Sequence, residues 1–105
     1  MATLPSDYLA YRQRGGTVEA FLTCEFPGYM QLWPLDKVGE YNDDYEIAKY
    51  APGFFGFGSN GGGELLVFDA AGAVYCLPAI GMEAECATRI ANSWADFARY
   101  IENAP

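Results

Sequence analysis

Fourteen carboxylates, three cysteines, a glycine-rich string and no histidine are the chemical resources of this 105-residue chain. Without histidine the commonest general base and metal ligand is missing, so Ser-His-Asp and Cys-His nucleophiles and His-containing zinc sites cannot be assembled. Carboxylate pairs remain for acid–base work, and Glu64 with Asp69 or Glu83 with Glu85 are the candidates. Among fourteen acids such neighbours also arise by chance, and nothing in the sequence raises either pair above that. The expectation is a protein without enzymatic activity, cofactor or metal.

Gly56-Phe57-Gly58-Ser59-Asn60-Gly61 matches the dinucleotide string G-x-G-x-x-G letter for letter. A dinucleotide site needs that string to open a helix whose N-terminus holds the pyrophosphate, and here the next residues, Glu64 to Phe68, have the character of a strand. A kinase loop would need a lysine-bearing strand and a catalytic loop in a far longer chain. The glycines are better explained as turn residues and as places where another backbone comes close. Tyr29, Trp33, Tyr41, Tyr45 and Tyr50 are partner anchors if exposed and core if buried.

The elements that hold these residues follow from periodicity and breakers. Leu4-Pro5-Ser6-Asp7 opens a short helix with Leu4, Tyr8 and Tyr11 on one face, ended by Gly15-Gly16. Thr17 to Thr23 alternates as a strand, Pro27-Gly28 turns the chain, and Tyr29 to Trp33 is a second strand stopped by Pro34. Leu35, Val38 and Tyr41 or Asn42 keep helical spacing, with Asp36, Glu40, Asp43, Asp44 and Glu46 on the solvent face. Phe54 to Phe57 and Glu64 to Phe68 form a hairpin whose second strand is apolar on both faces and therefore central. Asp69-Ala70-Ala71-Gly72 suits a type I turn leading into Ala73 to Leu77, a strand closed by Pro78. Ile80 to Ile90 is open between a helical Met82 to Glu85 and an edge strand from Cys86. Ser93-Trp94-Ala95-Asp96 starts a last helix with Trp94, Phe97, Ala98 and Ile101 against the sheet. The fold class is α+β, a mostly antiparallel sheet of about five to six strands with helices packed on it, in a single domain over 1–105.

Apolar residues at 51% supply a core without disulfides or a structural metal. Six basic against fourteen acidic residues give a net charge of −8, which repels phosphate backbones and anionic headgroups, so neither nucleic acid nor membrane is an expected partner. Cys24, Cys76 and Cys86 are odd in number and lack C-x-x-C spacing, and two of them sit in apolar runs where a free thiol packs as a small hydrophobe; reduced, buried thiols fit a cytoplasmic protein. The first residues show no charged stretch followed by an apolar one, so export is not expected, and no apolar run approaches the ~20 residues of a membrane span.

In order, Leu4-Pro5-x-x-Tyr8, Gly15-Gly16, Trp33-Pro34-Leu35, Asn42, Pro52-Gly53-Phe54-Phe55-Gly56-Phe57-Gly58, Gly61-Gly62-Gly63-Glu64, Val74-Tyr75 and Ser93-Trp94-x-x-Phe97 resemble the SUKH superfamily over nearly the whole chain. Two features depart from its pattern: members often carry a further helix before the Leu-Pro segment, and Glu64 stands where Asp often follows the glycine run. The resemblance implies a non-enzymatic α+β protein-binding domain. Many bacterial members resemble immunity proteins that bind and block a cognate toxin, often a basic nuclease; the eukaryotic namesake, a regulator of cell-wall assembly, implies a scaffold or adaptor as the alternative. The expected partner surface is the acidic stretch Asp36, Glu40, Asp43, Asp44 and Glu46 with the turn at Asn60, where charge complements a basic target.

Overall fold

The computed structural model describes residues 3–101 as a six-stranded antiparallel sheet in sequence order, β1-β2-β3-β4-β5-β6, with helices on both faces. The strands are β1 (Glu19–Phe21), β2 (Tyr29–Leu32), β3 (Phe55–Ser59), β4 (Glu64–Phe68), β5 (Val74–Pro78) and β6 (Thr88–Ala91); the helices are α1 (Ser6–Gln13), α2 (Val38–Tyr45), α3 (Ile47–Tyr50) and α4 (Trp94–Ala98). The α+β class is as expected. Several boundaries differ: β2 ends at Leu32 and not Trp33, β5 begins at Val74 and not Ala73, and α4 ends at Ala98, short of Ile101. Phe54 lies outside β3, which extends instead through Gly58 and Ser59 because both pair with β2 and β4. Pro78 is the last paired residue of β5, opposite Glu64, and not a stop after it. Of Thr17 to Thr23 only Glu19–Phe21 joins the ladder, since Leu22 bridges to Ile101 beyond α4.

The open stretch from Ile80 resolves into a 3₁₀ turn at Ala84–Cys86 followed by the edge strand β6. The β5–β6 register runs Val74↔Ala91, Tyr75↔Arg89 and Cys76↔Thr88, so Ile90 is an extra residue on β6. A bulge of this kind breaks the two-residue alternation by which a strand is recognised.

β4 sorts the core. Leu66 and Phe68 face one side, with Tyr8, Phe57, Trp94 and Phe97; Leu65 and Val67 face the other, with Trp33, Val38, Ile47 and Met82. The first side is aromatic: the Tyr8 ring meets Phe57, Phe68 and Trp94 edge-on at 5.1, 5.3 and 4.8 Å. Such pairs add about 0.5–1.5 kcal/mol each beyond area burial and fix α1 and α4 to the sheet. Arg12 fastens α1 further, donating to the Tyr8 hydroxyl at 2.9 Å and to the Trp33 carbonyl at 2.8 Å. Burial holds the Tyr8 phenol above its ordinary pKa, against the lowering effect of Arg12. At α4, Ser93 Oγ accepts from the Asp96 N–H at 3.1 Å, the cap its position in the sequence calls for.

Candidate functional site

On the second face, α2 and α3 are positioned by one buried polar side chain. Asn42 Nδ2 donates to the Val38 carbonyl at 2.8 Å and to the Gly56 carbonyl at 2.9 Å, and its Oδ1 accepts from the Gly56 N–H at 2.7 Å. A strand residue directs its N–H and C=O to the same side, and β2 pairs with β3 only at Gly58 and Ser59. Asn42 therefore takes the place of a missing strand partner at Gly56. Gly56 admits this packing because it lacks a side chain: a Cβ there would lie 2.8 Å from Ile47 Cδ1 and 3.0 Å from the Trp33 ring. At Gly58 it would lie 2.5 Å from the Gln31 carbonyl oxygen. The first glycine of the G-x-G-x-x-G string thus leaves room for the Ile47 and Trp33 side chains, and the second for the close approach of the β2 backbone.

With the helix pinned there, Asp36, Glu40, Asp43, Asp44 and Glu46 all lie exposed on one run of surface. Two have basic neighbours on the same run, Glu40 with Lys37 and Glu46 with Lys49, each at 3.6 Å and solvent-exposed. Pairs so exposed contribute little, and the run stays net acidic. Glu46 is a left-handed residue (φ 55°) that turns α2 into α3, a conformation costing about 1 kcal/mol outside glycine and asparagine. Lys49 is held above its ordinary pKa by the Tyr50 phenol it lies over and by Glu46.

The structure does not join Asn60 to this run. Its Oδ1 accepts from the N–H groups of Gly62 and Glu64 at 2.8 and 3.1 Å, closing the β3–β4 turn. That turn lies at the far end of β3 from Gly56, roughly 13 Å at 3.3 Å per residue. The carboxylate pair Glu64 and Asp69 also parts, Glu64 opening β4 and Asp69 following its last residue. Asp69 is occupied in its own turn, accepting from Ala71 and Ala73 N–H at 2.9 Å. Among the described residues no group of three or more His, Cys, Asp or Glu is placed to hold a metal ion. Of the cysteines, Cys76 is buried, Cys24 half-buried and Cys86 exposed.

The feature that sequence reasoning missed as a unit is a groove beside the acidic run. Tyr45 and Tyr50 form one wall and Ala79, Gly81, Met82 and Glu83, from the loop after β5, the other, enclosing about 370 Å³. Tyr45 and Tyr50 are 43% and 48% exposed, and Ile80 at the loop tip is 93% exposed, so large apolar groups meet solvent where carboxylates are densest. Tyr45 is held flat on the buried Trp33 at 5.9 Å, which Tyr41 meets edge-on at 5.3 Å. The five aromatics named as anchors thus divide: Trp33 is core, Tyr29 and Tyr41 are half-buried, and only Tyr45 and Tyr50 are exposed. Leu35, expected on the buried face, is 39% exposed. It belongs to a 3₁₀ turn, Leu35–Lys37, whose three-residue period shifts it off the helical stripe.

Fold and site together define an α+β domain built on an antiparallel meander that shows an aromatic groove with an acidic border. The chain belongs to the SMI1 / KNR4 family (SUKH-1), whose profile matches residues 1–99. A comparison with curated proteins returns no match. No helix among the described residues is long and apolar enough to cross a membrane.

Proposed function

We propose that this chain is a non-enzymatic, cytoplasmic protein-binding domain, a bacterial immunity protein that binds and neutralises a cognate basic toxin domain. The observation that carries the proposal is the family match over residues 1–99, since the family fits immunity-type and cell-wall-regulator-type roles. The choice between them rests on the groove. Exposed tyrosines supply anchoring area at small entropic cost, and the carboxylates of α2 steer a cationic surface toward them. A nuclease toxin is cationic because its substrate is a polyanion, so its own binding surface is complementary to this one.

The test is protection. Cells producing the toxin domain encoded beside this gene survive when the chain is co-produced, and the two proteins co-purify as a stoichiometric complex. Failure of both rescue and co-purification overturns the proposal. A partner recovered from cells that carry no such toxin gene favours the adaptor role.

A further inference from the structure

The groove separates two carboxylates that the sequence sets close together: Glu83 lines it and Glu85 does not. Both are exposed, and neither pairs with a lysine or arginine among the described residues. The cations on this side of the sheet are engaged outside the groove. Lys37 lies 3.6 Å from Glu40 and Lys49 3.6 Å from Glu46, while the Arg89 guanidinium lies over the Tyr75 ring at 5.7 Å. None of the three lines the groove, so Glu83 stands on its loop wall as an uncompensated charge.

Beside the groove the chain shows how it holds a cation of its own. Lys49 Nζ lies 5.2 Å from the Tyr50 ring centre and 3.6 Å from Glu46, an aromatic face and a carboxylate acting on one charge. Tyr45 and Glu83 bring the same two groups to the groove, and among the described residues no lysine or arginine lies over Tyr45. The Tyr45 ring is already fixed in its plane. It lies within 3° of parallel to the buried Trp33, which Tyr41 in turn meets edge-on. A ring so held has little freedom left to lose on binding.

Size and lining narrow the occupant further. The volume of about 370 Å³ is at the small end of the roughly 300–1,000 Å³ of ligand sites, room for one long side chain. Ala79 and the buried Met82 are apolar, and Glu83 is the one charged residue in the lining. An apolar stem that ends in a cation matches this arrangement. A guanidinium suits it better than an ammonium, being flat, weakly hydrated, able to stack on a ring and forked to meet a carboxylate. We infer that the groove takes a single arginine side chain of the partner, its guanidinium against Tyr45 and donating to the Glu83 carboxylate. The inference rests on the reading of the groove as the docking site of a basic protein, and adds the residue type that the groove selects.

The probe is acetyl-Gly-Arg-Gly-amide, titrated into the isotope-labelled full chain and followed by the backbone amide shifts in NMR spectra. Saturable shifts centred on Tyr45, Tyr50 and the Gly81 to Glu83 loop are expected. The peptide with Lys in place of Arg binds at least threefold more weakly, and the one with citrulline, a neutral group of the same shape, does not saturate. Glu83→Gln and Tyr45→Leu, both at exposed positions, each weaken arginine binding at least threefold with circular dichroism unchanged. Glu85→Gln, two residues along and outside the groove, leaves it as it was. Absence of saturable shifts at the groove overturns the inference, as does binding of citrulline or lysine as tight as that of arginine. Undiminished binding by the Glu83 variant overturns it, and so does an equal loss in the Glu85 variant, which would show a general effect of charge. A chain that protects cells from the toxin but ignores the arginine peptide overturns this inference alone. A chain that binds the peptide at the groove without protecting cells or co-purifying with the toxin overturns the immunity reading alone.

Discussion

Single side chains decide whether α2 and α3 sit where the groove needs them. Asn42 satisfies both backbone groups of Gly56 and one carbonyl of its own helix. Asn42→Ala leaves a buried N–H and C=O without partners, an expected loss of about 2–4 kcal/mol measurable by urea unfolding. Gly58→Ala sets a methyl 2.5 Å from a backbone oxygen, which cannot rotate away. The expected loss is at least about 2 kcal/mol, whereas Gly62→Ala, whose added carbon meets only the Asn60 side chain at 3.6 Å, changes stability by less than half of that. The sequence signals at this scale were uneven. Turn chemistry at Asp69 and the cap at Ser93 were legible because each is satisfied within four residues. Asn42 was not, because its partner is fourteen residues away and a polar residue at helical spacing carries no mark of what it will bond.

Elements were legible where breakers and alternation agree, and lost where packing overrode them. β4 and β5 came out as expected in place and order because apolar alternation on both faces leaves them no solvent-facing register. β6 was hidden by its bulge, and the groove by its composition from two segments about thirty residues apart, Tyr45 to Tyr50 and Ala79 to Glu83. The acidic face of α2 was legible as exposed surface, but sequence alone does not show that a tyrosine pair opens beside it. Two predictions belong to this surface and presuppose the proposed partner. Asp43→Lys with Asp44→Lys slows association about tenfold or more at low salt and flattens its ionic-strength dependence, with stability altered by less than about 0.5 kcal/mol. Stopped-flow association across a salt series checks it, and unchanged rates would move the interface elsewhere. Tyr50→Ala, removing an exposed ring that contributes little to the core, raises the dissociation rate and costs about 2 kcal/mol of affinity by calorimetry.

At the scale of the whole molecule, the buried titratable groups set how stability responds to alkali. The Cys76 thiol is pushed up from 9.0 to about 12, first by burial in the aromatic side of the core and then by the negative charge of Glu64. Tyr8 and Tyr11 are raised from 10.0, again first by burial. In each case the folded state keeps a proton that the unfolded state has released, so protons bound to the unfolded chain are fewer and stability falls as pH rises. The contribution of Cys76 is fully present below pH 9.0 and is lost progressively toward about 12, with a limiting slope near 1.4 kcal/mol per pH unit. Cys76→Val keeps an apolar side chain of similar size and deletes the titration. Between pH 9 and 10, where the unfolded thiol is passing from half to mostly ionised, the wild-type chain should lose about 1 kcal/mol more than the variant. General repulsion among the acids grows equally in both proteins and cancels in the difference. Urea unfolding of the two, in reductant at pH 8, 9 and 10, makes the comparison; parallel losses would mean that the Cys76 thiol ionises in the folded state at its ordinary pKa and that this face of the sheet admits water.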